Sequence, residues 1–149
     1  MTEKWNRRFL NLAKLVSTWS KDPSTQTGAV IVRPDRTVVS VGFNGFPKNM
    51  PDNSEWYANR EEKYSRIVHC EINALLHSYE SLEGYILYTH PFASCDRCAV
   101  QMLQAGISHF VFPSIPPPLK DRWEVSLNKT KQYFTECGVT YTEIPWDTL

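Results

Sequence analysis

Two short segments hold the residues best suited to chemistry: His69-Cys70-Glu71 and Ser94-Cys95-Asp96-Arg97-Cys98. One imidazole and two thiols are donors that Zn²⁺ favours in a tetrahedron, and three protein ligands leave the fourth corner for water. Zinc makes such a water acidic near neutral pH, and a carboxylate two residues from the imidazole is placed to take the proton. His69, Cys95 and Cys98 are the candidate metal ligands, and Glu71 is the candidate proton carrier.

The same residues admit plainer readings. A closed structural site would add Cys70 as a fourth ligand. Neighbouring side chains on a helix diverge by about 100°, so residues 69 and 70 do not readily meet one ion. A closed site also leaves Glu71 idle. A dithiol redox pair at Cys95 and Cys98 leaves both His69 and Glu71 without a task. A glutamate in the first turn favours the helix dipole, which is compatible with proton transfer. His77, His90 and His109 lack ligand spacing to one another and read as surface or interface residues. Cys137, late in a predicted helix, reads as core.

Both segments open predicted helices, and the rest of the chain must bring those helix starts together. Trp5, Phe9, Leu12, Ala13, Leu15, Val16 and Trp19 recur near the helical period, so the first twenty residues read as an amphipathic helix stopped by Asp22-Pro23-Ser24. Gly28 to Val32 and Thr37 to Phe43 read as a β-hairpin across the turn Arg33-Pro34-Asp35-Arg36. A long polar connection runs from Asn44 to Val68, interrupted by a short helix over Glu55 to Arg66. Next come a helix over Cys70 to Tyr79, a strand over Gly84 to Thr89, a helix over Asp96 to Ala105 and a strand over Ser108 to Phe112. After the prolines of Pro113 to Pro118, a helix from Lys120 to Cys137 and a strand from Val139 to Ile144 complete the pattern. The order αββαβαβαβ predicts a mixed sheet with helices on both faces.

At 149 residues the chain reads as a single domain with room for a real core. Sixteen basic residues balance sixteen acidic ones, so no net field attracts a nucleic-acid polymer or an anionic membrane. No apolar run is long enough to span a bilayer, and residues 1–8 lack the apolar stretch of a secretory signal. With four cysteines and no such signal, Cys-x-x-Cys reads as metal or redox chemistry, and a cytoplasmic location is expected.

Several segments resemble the deoxycytidylate (dCMP) deaminase branch of the cytidine deaminase superfamily. Residues 20–32, SKDPSTQTGAVIV, resemble its S-K-D-P-x-x-Q-V-G-A-x-I-V segment, and residues 42–47, GFNGFP, its G-Y-N-G-x-P loop. His69-Cys70-Glu71-Ile72-Asn73-Ala74-Leu75 resembles H-A-E-x-N-A-I, and Cys95-Asp96-Arg97-Cys98-Ala99 with Gln104-Ala105-Gly106-Ile107 resembles P-C-x-x-C-A and Q-A-G-I. The likeness runs from about residue 19 to 112. Cys70 replaces an alanine and Ser94 a proline, and neither change removes a ligand or the glutamate.

That resemblance implies a three-layer αβα sandwich with a mixed sheet of about five strands. It implies zinc-dependent hydrolysis of dCMP to dUMP and ammonia, feeding dTMP synthesis, with water attacking C4 of cytosine and Glu71 carrying the protons. The implied substrate contacts are Lys21, Ser24 and Thr25 for the 5′-phosphate, Asn44 for the sugar, and Cys70, through its backbone N–H, with Trp123 for the base. Plainer roles are helix termination for the first three, an Asx turn for Asn44 and core packing for Trp123. The resemblance also implies a hexamer, as members of this branch often are, activated by dCTP with Mg²⁺ and inhibited by dTTP. The matching allosteric surface here is Gly42, Phe43, Asn44, Gly45, Phe46 and Lys48. Rival readings are a nucleoside or tRNA deaminase and a zinc-stabilised module that binds nucleotides without turnover.

Overall fold

The computed structural model describes residues 1–149. Helix α1 spans Glu3–Ser17, strands β1 and β2 span Gly28–Val32 and Val38–Phe43, and short helices α2 and α3 span Ser54–Ala58 and Arg60–Arg66. Then follow α4 (Cys70–Leu76), β3 (Ile86–His90), α5 (Asp96–Gln104), β4 (His109–Pro113), α6 (Pro117–Glu136) and β5 (Thr140–Ile144). The strands form one sheet in the order β2-β1-β3-β4-β5. β1 runs antiparallel to both β2 and β3, and β3, β4 and β5 run parallel. The mixed sheet follows from connectivity: a tight turn joins β1 to β2, whereas α5 and α6 are the crossovers of the parallel half.

β1 is buried along its whole length. Its side chains alternate between two cores. Val30 and Val32 join Phe9, Leu10 and Ala13 of α1, while Ala29 and Ile31 join residues of α4, α5 and α6 such as Ala74, Met102 and Phe134. Helices therefore cover both faces.

Two glycines set how closely the helices approach. A β-carbon at Gly28 would lie 2.2 Å from the Ala13 carbonyl oxygen, and one at Gly42 would collide with the backbone of α4. Gly42 faces Ala29 across the hairpin, so α4 seats on the face opposite α1. This seating fixes the depth of the helix that carries Glu71.

Several elements differ from the sequence expectation. The helix expected over residues 55–66 is two helices, because Asn59 is extended (φ −94, ψ 112), ending α2 and capping α3 through the Glu62 N–H. α6 starts at Pro117 rather than Lys120, since proline suits the first helical turn, where its missing N–H costs nothing. Leu15 and Trp19 share the apolar spacing of α1 yet stay exposed. Cys137, read as core, is exposed at the C-terminal cap of α6.

Candidate active site

His69 and Cys95 are the N-caps of α4 and α5, both with extended backbone, and neither side chain caps its own helix. Both side chains are thus left free for one another. His69 is placed by a backbone bridge between Gly45 and Val68, with N–H···O distances of 3.1 and 2.8 Å. Asn73 of α4 donates to the Phe43 carbonyl at 2.7 Å, which ties the helix to the end of β2.

The result is one cluster. Donor atoms of His69, Glu71, Cys95 and Cys98 all lie within 4.8 Å of one another. His69 Nδ1 is 3.2 Å from Cys98 Sγ, 3.5 Å from Cys95 Sγ and 3.9 Å from Glu71 Oε1. Cys70 lies outside this set. Its thiol donates to Glu71 Oε2 at 2.9 Å, and burial, reinforced by the Glu71 carboxylate, pushes the thiol well up so that it keeps its proton.

The donor set suits zinc. A hydrogen bond from Cys98 holds Cys95 down to about 4, with His69 adding to the effect. The pairing with Cys95 and burial push Cys98 up, so the two thiols share one proton. Its hydrogen bond with Cys95, and then the Glu71 carboxylate, raise His69. A dication replaces those protons with a single centre of charge, using two thiolates and an imidazole.

The cluster opens into a cavity that also takes in Thr25, Asn44, Tyr64, Phe92, Arg122 and Trp123. Phe92 and Trp123 make a tilted aromatic wall, with ring centroids 5.4 Å apart. The Arg122 guanidinium donates to Tyr64 Oη at 2.6 Å and to Ser24 Oγ at 3.5 Å, so its hydrogen bonds go to hydroxyls and not to a carboxylate. His90 Nδ1, Ser94 Oγ and Trp123 Nε1 are buried on residues of this wall without a hydrogen-bond partner. A wall with unmatched polar groups is what a site for a polar ligand shows.

Of the residues singled out in the sequence, Thr25, Asn44, Cys70 and Trp123 line the cavity, and Ser24 borders it through Arg122. Lys21 does not reach it. Its ammonium points to solvent and pairs with Asp52 at 2.7 Å. The segment read as allosteric has mixed surroundings: Gly42 lies under α4, Phe46 stacks on Tyr57 at 4.0 Å and Lys48 is exposed. Lys63, Tyr64, His90 and Phe92 also line the cavity. Sequence reasoning missed all four. The only available signal was that Lys63 and Tyr64 lie just ahead of His69, within a connection too long to be a simple link.

Comparison with known proteins agrees with this geometry. Residues 3–114 match the family described as the cytidine and deoxycytidylate deaminase zinc-binding region. The chain is 40% identical over 149 residues to an uncharacterised deaminase in the luxG 3′ region of Aliivibrio fischeri, covering 100% of this chain and 99% of that one. It is 32% identical over 146 residues to the deoxycytidylate deaminase of Mus musculus, covering 93% of this chain and 78% of that one. The chain belongs to the deoxycytidylate deaminase family. The crystal structure of the cyanophage S-TIM5 dCMP deaminase with dCMP and dUMP has the same fold, with a TM-score of 0.76 at 21% identity over 97% of this chain and 99% of that one. The chain is a deaminase with the zinc-binding region of its family, and no helix in it is long and apolar enough to cross a membrane.

Proposed function

We propose that this deaminase hydrolyses dCMP to dUMP and ammonia. The observation that carries the proposal is the buried Glu71 carboxylate, held within the His69, Cys95 and Cys98 cluster on the wall of a cavity that also contains Asn44 and Arg122. Relatives from mouse and human are named deoxycytidylate deaminases, and the cyanophage enzyme of this fold was solved with dCMP and dUMP.

His69, Cys95 and Cys98 would hold the zinc, whose Lewis acidity lets water give up a proton near neutral pH. Glu71 accepts that proton and passes it to N3 of the cytosine. The water oxygen bonds to C4; Glu71 then takes the remaining proton of that new hydroxyl and gives it to the amine as the C4–N bond breaks, so the oxygen becomes the C4 carbonyl, one water is consumed and one ammonia leaves. The Cys70 thiol donates to Oε2 and helps hold the carboxylate, whose Oε1 stands nearer His69. Phe92 and Trp123 supply a face for the base. Asn44 is the contact for the sugar. Arg122, with the Tyr64 and Ser24 hydroxyls around it and Thr25 nearby, meets the 5′-phosphate; the sequence reading gave this role to Lys21, Ser24 and Thr25, and Arg122 here takes the part of the cation in place of Lys21. The regulatory part of the reading assigns dCTP with Mg²⁺ and dTTP to the 42–48 segment of a hexamer, on the strength of the family resemblance.

A substrate panel tests the reading. Given dCMP, deoxycytidine, dCTP and single-stranded DNA, the protein should convert dCMP with the highest kcat/KM. Preference for deoxycytidine would make it a nucleoside enzyme, and binding of dCMP without turnover would make it a binding module.

A further inference from the structure

A buried ion pair borders the cavity and has no part in the proton transfers described above. Lys63 of α3 places its Nζ 2.8 Å from Oδ2 and 2.9 Å from Oδ1 of Asp22, and the two side chains are only 9% and 2% exposed. Taking two charges out of water is costly enough that stability alone is a weak reason for such a pair.

Asp22 passes the constraint on. Its Oδ1 also accepts the Ser24 N–H at 2.8 Å, and its Oδ2 accepts from Asn44 Nδ2 at 3.1 Å. Asn44 Nδ2 donates as well to the Thr25 carbonyl at 2.9 Å, and Asn44 Oδ1 accepts the Thr27 N–H at 2.9 Å. Both amide hydrogens are thereby used, and one lone pair of Oδ1 is left. A flipped amide would set oxygen against the Asp22 carboxylate and the Thr25 carbonyl, and N–H against N–H at Thr27. Asn44 can therefore accept from a molecule in the cavity but has nothing to donate to it.

We propose that Lys63 and Asp22 are positioning residues that hold Asn44 as a hydrogen-bond acceptor for the sugar hydroxyl of the nucleotide. The proposal rests on the dCMP reading and deepens it. A 2′-deoxynucleotide 5′-phosphate has one free sugar hydroxyl, at the 3′ position, and against Asn44 that hydroxyl must donate. Without Lys63 the buried Asp22 loses its charge partner and its fixed place, and Asn44 keeps only the Thr25 carbonyl and the Thr27 N–H to hold it. The loss falls on recognition of the sugar rather than on the chemistry at C4.

The test compares kcat/KM for dCMP and for 2′,3′-dideoxycytidine 5′-monophosphate, which lacks that hydroxyl. The native protein should prefer dCMP by about tenfold or more, the worth of one hydrogen bond in a site built to receive it. In Lys63→Met that preference should fall by about threefold or more, through KM for dCMP, while kcat changes by less than about threefold. Lys63→Arg retains a cation for Asp22 and should restore most of the preference. Asp22→Asn with Lys63→Met buries no charge and serves if the single variant does not fold, with the same fall expected. A preference that survives in Lys63→Met, with both substrates slowed in parallel, overturns the positioning role. If the native protein converts neither nucleotide, the functional reading fails instead, and the ratio of calorimetric affinities for the two nucleotides in native protein and Lys63→Met decides the positioning role alone.

Discussion

Gly42 and Cys70 meet backbone to backbone: a β-carbon at residue 42 would sit 2.3 Å from the Cys70 carbonyl oxygen and 2.4 Å from the Ala74 nitrogen. The helix that carries Glu71 thus rests directly on β2. Gly42→Ala should lift α4 and cost about 1–3 kcal/mol, as overpacking does. Activity should fall as well, because Glu71 moves relative to Cys95 and Cys98. Denaturant midpoints and kcat on the same samples check both effects, and an unchanged midpoint would show that α4 yields without penalty.

Arg122 offers the cavity a cation whose hydrogen bonds go only to hydroxyls. Arg122→Gln should raise KM for dCMP about tenfold or more while leaving the weaker reaction with deoxycytidine nearly unchanged. Equal losses on both substrates would place Arg122 away from the phosphate. Lys21→Gln should leave both reactions alone, since that ammonium lies on Asp52.

His90 gives stability a pH dependence of known sign. Burial, with Lys14 adding to it, lowers its pKa from 6.5 to about 4. Between those values the unfolded chain binds a proton that the folded chain refuses, so stability falls as pH drops through that window. His90→Gln should flatten this part of the profile. Urea unfolding from about pH 7 to about pH 4.5, native protein against variant, measures the difference. Parallel profiles would remove His90 from the account.

The clustering of His69, Glu71, Cys95 and Cys98 was legible in the sequence because few residue types bind zinc and their spacing at helix starts is local. The hairpin and the parallel half were legible from periodicity and turn chemistry. Thr25, Asn44, Cys70 and Trp123 of the cavity were named from the family likeness, but its polar pairings were not legible, because they are distant: Lys63 meets Asp22 across 41 residues, and Arg122 meets Tyr64 across 58. A polar cluster such as residues 21–25 does not reveal which side chain turns inward. Asp22 does, and Lys21 does not. Cys137 misled because a residue in the last turn of a helix can face solvent even where the helix itself packs on the core.

The regulation proposed for the 42–48 segment would have a kinetic signature. The dCMP saturation curve should be sigmoidal, become hyperbolic with dCTP and Mg²⁺, and shift to higher substrate with dTTP. A curve indifferent to both triphosphates would remove the regulatory part of the reading and leave the catalytic part standing.

The central claim is that Glu71 carries protons during hydrolysis of dCMP at a zinc centre held by His69, Cys95 and Cys98. The most direct measurement follows dUMP and ammonia formed from dCMP by native protein and by Glu71→Gln, with the zinc content of each determined. The native protein should release one ammonia per dUMP. Glu71→Gln should keep its zinc and lose about 10²–10⁴-fold in kcat, the usual worth of a positioned acid–base group. Turnover at the native rate by zinc-loaded Glu71→Gln, or dCMP left unchanged by zinc-loaded native protein, would contradict the account.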